Sequence, residues 1–313
     1  MNITVIVCTS NRSWSLRNTL ASLTASSLPA GVEWEVLVVD NNSTDETRTV
    51  VETFFPRFPD HFRYLFEGQP GKSYALNTGI RNARGQVLAF LDDDVLVEPS
   101  WLWNLTNALQ QHDWSGVSGR TLLADRFFPP SWMATEGPYS MAGILAAKFD
   151  LGTQPCELRH LHQPPYGANM AFRKEMFDKY GLFRTDLGPS PDPAIPRPNE
   201  DTEFGRRLML AKEKLGYEPS AVAYHPVPRQ RVKKEYFLAW WFDGGRAAIR
   251  ELGRRPNIFG IPRRYLTILK ASATVCFRAL LWTATVNPQA RFFRKCRVWA
   301  MAGQIVEVNR LWR

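Results

Sequence analysis

Short apolar runs alternate with helix-patterned stretches through the first hundred residues, and this alternation constrains the chain more than any other feature, because it builds β-α units around a mostly parallel sheet. Residues 3–8 read as a buried strand, and after the polar turn Thr9-Ser10-Asn11-Arg12 the leucines Leu16, Leu20 and Leu23 recur at i, i+4 and i+7, one helix face. Residues 34–39 form a second strand whose turn carries Asp40, Asn41 and Asn42, and Ser43-Thr44-Asp45-Glu46 has the form of a capping box that opens a second helix. A third unit runs from a strand at 62–66 through Gly68-Gln69-Pro70-Gly71 into a helix ending near Arg84-Gly85. A fourth strand, 87–91, ends on three consecutive acids, Asp92-Asp93-Asp94. Open α/β sheets bind ligands outside the carboxyl ends of their strands, so Thr9, Asp40 and the three acids are expected to form one site.

The chain has 313 residues, 44% apolar and 22% charged, which excludes a disordered or fibrous protein and leaves one large or two modest domains. Its four cysteines, Cys8, Cys156, Cys276 and Cys296, lie far apart with no C-x-x-C pair, arguing against a zinc ribbon, a redox motif or a disulfide framework. That usage fits a reducing compartment, and the opening Met1-Asn2-Ile3-Thr4 has none of the marks of a secretory signal, so a cytoplasmic location is expected. Beyond residue 115 the pattern turns irregular, with Pro129-Pro130, Pro164-Pro165 and five prolines within 189–198, a loop expected to act as a lid. Between these loops a strand is predicted at 166–172, a helix from Asp201 to about Leu215, and a short strand at 221–224 ending at His225.

Charge is distributed unevenly. Residues 226–313 hold 18 Lys/Arg against 4 Asp/Glu, whereas residues 1–225 hold 21 against 26, so the C-terminal third is expected to face something anionic, a lipid headgroup surface or nucleic acid. Over 263–286 a helix would align Arg263, Thr267, Lys270, Thr274 and Arg278 opposite Tyr265, Ile268, Leu269, Val275, Cys276 and Leu280. Asn287-Pro288 breaks it, and a second helix brings Arg291, Arg294, Lys295 and Arg297 beside Phe292, Phe293 and Trp299. The uncharged stretches fall short of the roughly 20 residues of a bilayer span, so these helices are expected to lie on a membrane rather than cross it. A helical hairpin packed on its own catalytic domain is the alternative.

Three adjacent carboxylates at the end of an apolar strand repel one another unless a cation is present, and carboxylate oxygens suit Mg²⁺ or Mn²⁺, which complete their shells with substrate phosphates. Glu200-Asp201 opens a helix, where the dipole favours ionised acids, and a carboxylate beside a substrate is a candidate general base. Gly71-Lys72-Ser73 lacks the earlier glycine of a phosphate loop, since that position is Phe66, and no G-x-G-x-x-G follows the first strand. Lys72 at a helix start can still meet a nucleotide's phosphates or ribose. His225 offers an imidazole to the same metal. His160 and His162 lack a third ligand and carry no site.

In order along the chain, Val7-Cys8-Thr9-Ser10-Asn11-Arg12, Val38-Val39-Asp40-Asn41-Asn42-Ser43-Thr44-Asp45, Gly71-Lys72-Ser73-Tyr74-Ala75-Leu76-Asn77-Thr78-Gly79, Leu91-Asp92-Asp93-Asp94, Gly167-Ala168-Asn169-Met170 and Asn199-Glu200-Asp201 together resemble glycosyltransferase family 2 over about residues 3–228. The resemblance implies a GT-A fold, a Rossmann-like α/β arrangement with a mostly parallel central sheet flanked by helices, here followed by a C-terminal helical extension. It implies a GT-A domain at 1–228, with a nucleotide-sugar-binding half at 1–115 and an acceptor-binding half at 116–228, and the basic extension at 229–313. It further implies a UDP, GDP or dTDP sugar as donor, Mg²⁺ or Mn²⁺ as cofactor, and inversion at the anomeric carbon. By the family pattern Thr9, Asn11, Arg12, Asp40, Lys72, Asn77, Asp92, Asp93 and Asn169 line the nucleotide-sugar pocket. Asp94, with Asp92 and His225, holds the metal, and Asp201 is the base, supported by Glu200.

The Q-x-x-R-W motif of processive members is absent from the region 238–246, which implies transfer of a single sugar. The expected acceptor is a glycan or a lipid-linked one, met on the cytosolic face of a membrane to which residues 260–313 attach, with no nucleic acid partner. Two other classes compete: a non-catalytic membrane-surface binding protein with this fold, and a nucleotidyltransferase, which would need a glycine-rich basic loop where Thr9-Ser10-Asn11-Arg12 stands.

Overall fold

A computed structural model describes residues 2–253 and 263–311. The order of elements is β1 (Asn2–Thr9), α1 (Ser13–Thr24), β2 (Glu33–Asp40), α2 (Thr47–Glu52), β3 (Phe62–Phe66), α3 (Lys72–Asn82), β4 (Val87–Asp92), β5 (Leu96–Val97), α4 (Trp101–Gln111), β6 (Gly116–Leu123), α5 (Ala142–Ala146), β7 (Cys156–Glu157), β8 (Asn169–Arg173), α6 (Glu175–Tyr180), α7 (Glu200–Leu210), β9 (Leu215–His225), α8 (Lys234–Leu252), α9 (Arg263–Thr283) and α10 (Pro288–Leu311). The chain divides into two compact units, residues 1–125, 147–185 and 200–226 in one, and 126–146, 186–199 and 227–313 in the other.

The first unit is built on one sheet with strand order β3-β2-β1-β4-β8-β6-β9-β5, and β7 added beside β9. β3, β2, β1 and β4 run parallel, as do β6 and β9, while β8 is antiparallel to both β4 and β6. Most of the paired length is thus parallel, as the alternating sequence pattern predicts. Alternate residues of the central strands face opposite sides, and each side carries its own helices. Val5, Val7, Val36 and Val38 pack with Leu16 and Leu20 of α1 and Trp101 and Leu105 of α4. Ile6, Leu37, Val39 and Phe90 pack with Leu76 and Ile80 of α3, Phe177 of α6 and Phe204 of α7. Burial on both faces explains the continuous apolar runs of these strands.

Several boundaries differ from expectation for local reasons. The capping box at 43–46 does not form: the Ser43 hydroxyl accepts the Asn11 N–H, and the Asp45 carboxylate takes both the N–H and the hydroxyl of Thr47, so α2 starts later. The strand predicted at 166–172 is β8 at Asn169–Arg173, the helix predicted from Asp201 to Leu215 ends at Leu210, and the short strand before His225 is the long β9, which begins at Leu215.

The second unit is helical. α8, which falls within the helical extension expected at 229–313, lies against α10 closely enough that a Cβ on Gly245 would stand 1.8 Å from the Ala300 carbonyl oxygen, and one on Gly303 2.0 Å from that of Phe242. A buried ion cluster joins the two helices: Glu307, fully buried, accepts from Arg246 Nε at 2.8 Å and from Arg250 Nε at 2.6 Å. The same arginines hold the proline-rich segment by its backbone, since the Ala194 carbonyl accepts from Arg246 and Arg250 at 2.6 Å each and from Arg310 at 2.9 Å. The stretch expected to be a lid is therefore fastened to α8 and α10.

α9 turns Ala271 inward and leaves Leu269, Phe277 and Leu280 exposed. No helix among the described residues is long and apolar enough to cross a membrane. Residues 260–262 and 312–313 of the expected membrane-facing segment, and the side chains of Arg263, Tyr265 and Thr267, lie outside the described residues.

Candidate active site

The strand register sets one row of residues at the carboxyl end of the sheet: Thr9 pairs with Asp40, Cys8 with Asp92, and Leu91 with Asn169, which begins the antiparallel β8. His225 ends β9 at the same side, because β9 is parallel to β6 and β6, like β4, is antiparallel to β8. The turns after β1 and β2 are tied together. Asn11, at φ 53°, donates its N–H to the Ser43 hydroxyl, and its side-chain oxygen accepts from the N–H and hydroxyl of Thr44. Asp40 accepts from the Ser43 N–H at 2.9 Å and from the Tyr64 hydroxyl at 2.7 Å. Burial and the Asp40 charge push the Tyr64 phenol up to about 12.

The three acids have three different environments. Asp93 points inward, accepting from the Thr9 hydroxyl at 2.7 Å and from Arg12 at 2.9 Å. Burial, reinforced by Asp94 and Asp92, raises it to about 6 despite the Arg12 guanidinium. Asp92 receives Lys72 Nζ at 2.7 Å, and although burial works the other way, that cation holds it below the usual carboxylate range. Asp94 meets Arg12 at 3.0 Å and stands 3.5 Å from His225 Nε2.

His225 supplies the sharpest indication of a cation. Its Nδ1 lies 2.7 Å from the Pro226 carbonyl oxygen, which can only accept, so Nδ1 carries a proton and Nε2 is the ring nitrogen turned toward the Asp94 carboxylate, 3.5 Å away. Ligand atoms of Asp92, Asp94 and His225 all lie within 4.8 Å of one another. Two hard oxygens and one imidazole nitrogen fit Mg²⁺ or Mn²⁺.

Lys72, the first residue of α3, also reaches Glu200 at 3.5 Å and so connects Asp92 with the acidic start of α7. Burial opposes its charge, but Asp92, Glu200 and Asp201 together raise it well above an ordinary lysine. Glu200 is buried, and burial followed by repulsion from Asp201 pushes it up to about 7. Asp201 accepts from the N–H of Gly167 and of Thr202, each at 2.6 Å, and a Cβ on Gly167 would stand 2.9 Å from its Oδ2. Cys8 lies in the same small cavity, where burial first of all drives its thiol far up and leaves it unreactive.

The structure thus brings together Thr9, Arg12, Lys72, Asp92, Asp93, Asp94, Glu200, Asp201 and His225, with Asp40 at the end of β2 and Asn11 in the turn after β1. Asn77 and Asn169 are engaged otherwise. The Asn77 amide exchanges two hydrogen bonds with the Phe183 backbone, and that of Asn169 accepts from Trp101 Nε1 while donating to the carbonyls of Arg120 and Ala221. Tyr64 and the Pro226 carbonyl are additions that the sequence did not single out. The alternation of Phe62, Tyr64 and Phe66 along β3 is the one signal that could have drawn notice to Tyr64.

The sequence profile described as "Glycosyl transferase family 2" matches residues 4–181. The chain is 29% identical over 258 residues to the succinoglycan biosynthesis protein ExoM of Rhizobium meliloti (strain 1021), covering 82% of this chain and 77% of that protein. Among solved structures it is similar to the mannosyltransferase PcManGT from Pyrobaculum calidifontis in complex with GDP-Man and Mn²⁺, with a TM-score of 0.62 at 20% identity, covering 97% of this chain and 86% of that one. It is also similar to S. aureus TarS 1-349 in complex with UDP, with a TM-score of 0.51 at 15% identity over 100% of this chain and 92% of that one. The likeness is one of fold, the GT-A arrangement that the sequence motifs imply.

Proposed function

The chain belongs to glycosyl transferase family 2, and from that premise we propose that it transfers a single sugar from a nucleotide-sugar donor to an acceptor hydroxyl with inversion at the anomeric carbon, in the assembly of a glycan. The observation that carries this reading is the gathering of Asp92, Asp94 and His225 beside Lys72, Glu200 and Asp201. The relatives bound to GDP-Man and UDP support a UDP, GDP or dTDP sugar as donor. We assign the transfer to residues 1–228 and membrane attachment to 260–313, within the helical extension 229–313.

In this reading Asp92, Asp94 and His225 hold Mg²⁺ or Mn²⁺, which when bound stabilises the negative charge of the leaving diphosphate. Arg12 and Lys72 add fixed cations to the same end of the donor. Thr9, Asn11, Asp40 and Asp93 shape the nucleotide pocket, and Asn77 and Asn169 serve it by fixing the backbone around it. On the other side of the sugar Asp201 takes the acceptor proton, which a single displacement requires of one carboxylate only. Its two backbone N–H bonds fix its direction. Glu200, raised to about 7 by burial and by Asp201, keeps its proton longer than an ordinary carboxylate and so limits the charge that forms beside Asp201.

The acceptor is a glycan or lipid-linked glycan met on the cytosolic face of a membrane, to which the enzyme attaches peripherally through residues 260–313. The strongly basic tail, and an α9 whose apolar residues stay exposed, support this part.

Donor hydrolysis and transfer with and without Mn²⁺, on the native chain and on Asp201→Asn, test the reading. Native turnover that needs the ion and falls by about a hundredfold or more in the variant, with donor binding kept, is expected. Binding of the donor with no turnover under any metal would leave a binding protein. Pyrophosphate release from a nucleoside triphosphate and a sugar phosphate would leave a nucleotidyltransferase.

A further inference from the structure

α9 carries its apolar face outward. Leu269, Ala273, Cys276, Phe277 and Leu280 recur at i, i+4, i+7, i+8 and i+11, one stripe of a 3.6-residue helix. Leu269, Phe277 and Leu280 are 68%, 63% and 70% exposed, and Val286 beyond the helix 93%. A helix whose only apolar solvent is its own protein turns such a stripe inward. α10 in the same unit does so, burying Phe292, Cys296 and Val308.

The surroundings of the stripe say what covers it. Between residues 268 and 311 the acidic side is Glu307 alone, and its two oxygens are taken by Arg246 and Arg250. Lys270 and Arg278 on α9, with Arg294 and Arg297 of α10 beside it, therefore have no carboxylate from this stretch to offset them. Burial and the neighbouring Arg297 both push Arg278 below its ordinary value, as expected for two guanidiniums with no anion between them. Lys295 lies over the rings of Trp282 and Trp299, at 5.3 and 5.1 Å, the aromatic and basic combination found at bilayer interfaces. A second copy of the chain would bring the same positive charge against itself and be repelled. An anionic bilayer answers both the stripe and the charge.

We propose that α9 alone is the membrane-inserting element, lying in the headgroup layer of an anionic bilayer with Leu269, Phe277 and Leu280 among the acyl chains and the flanking basic residues on lipid phosphates, while α10 is the buried scaffold behind it. This rests on the membrane attachment proposed above and narrows it to one face of one helix.

Cys276 sits on the stripe and is exposed, Cys156 is exposed in the other unit, and Cys296 is buried, which allows a label to be sited. The full chain carrying Cys156→Ser is labelled at Cys276 with an environment-sensitive fluorophore, and its counterpart, Cys276→Ser, is labelled at Cys156. Both are mixed with phosphatidylcholine vesicles with and without phosphatidylglycerol. Emission from Cys276 is expected to shift to the blue and rise severalfold on the anionic vesicles and to return in high salt, while that from Cys156 stays unchanged. Leu269→Ser, Phe277→Ser and Leu280→Ser together should lower vesicle partition at least about tenfold. Sedimentation with vesicles but no change at Cys276 overturns the α9 assignment and leaves the attachment standing. No sedimentation overturns both, and a lipid-free dimer dispersed by the three serines assigns the face to a second copy instead.

Discussion

Lys72 Nζ stands 2.7 Å from Asp92 and 3.5 Å from Glu200, so one ammonium spans the acid that ends β4 and the acid that begins α7. Glu200, raised to about 7 by burial and by Asp201, folds more readily with its proton than without it. Its contribution to stability is complete at low pH and is lost as the pH rises from the unfolded value near 4.5 through about 7. Thermal melts of the metal-free protein between pH 5 and 8 should fall more steeply for the native chain than for Glu200→Gln, by on the order of 3 kcal/mol in stability. Parallel curves would show that the buried carboxyl does not titrate in this window.

Gly167 is required by what lies against it rather than by its backbone angle. A methyl group there meets Asp201 Oδ2 at 2.9 Å and removes the space in which the Gly167 N–H bond forms. Gly167→Ala should lower kcat by about ten- to a hundredfold through a displaced base, with donor affinity and melting temperature little changed. Equal losses in donor affinity and kcat would point to a general distortion of the loop.

The parallel half of the sheet was legible because its strands are covered on both faces and read as unbroken apolar runs ending in polar turns, with Thr9, Asp40 and Asp92 each at a strand end. Which acid of the triplet faces the protein was not legible, since that depends on Thr9 and Arg12, more than 80 residues earlier in the chain. β6 escaped notice because Ser118, Gly119, Arg120 and Thr121 have little strand character of their own. Pairing with β8 and β9 sustains it, and Gly119 admits the Ala221 carbonyl at 2.4 Å from where a Cβ would lie. The bounds of α8 within the expected helical extension were hidden by Gly244-Gly245 in its middle, poor for an isolated helix, although Gly245 is what lets α10 approach. Asn77 and Asn169 carry family motifs, yet their amides bond to partners distant in sequence, such as Phe183 and Ala221.

The closeness of the Asp92, Asp94 and His225 ligand atoms makes a claim about metal that does not depend on turnover. Asp94→Asn and His225→Ala should each weaken Mn²⁺ binding by about tenfold or more in calorimetric titration, with the fold kept by circular dichroism. Mn²⁺ should also raise the melting temperature of the native chain and not of the variants. Unchanged affinity in both variants would remove these residues from the metal site.

Glu307 accepts from the Nε of both Arg246 and Arg250, and it is fully buried. Removing its charge leaves the buried Arg246 guanidinium with Asp243 as its carboxylate, at 3.1 Å, and takes from the buried Arg250 the carboxylate at its Nε, a change that destabilises by about 3 to 5 kcal/mol where one partner of a buried cluster is lost. Glu307→Gln should therefore lower the melting temperature markedly, and added salt should not restore it, because screening does not reach a buried pair. The effect should reach the segment at 186–199 as well, since the arginines that Glu307 orients hold the carbonyls of Asp186, Pro193 and Ala194. Faster amide exchange in that segment of Glu307→Gln is the specific sign. A lower melting temperature with exchange there unaltered would mean that Arg246 and Arg250 keep their grip without the acid behind them.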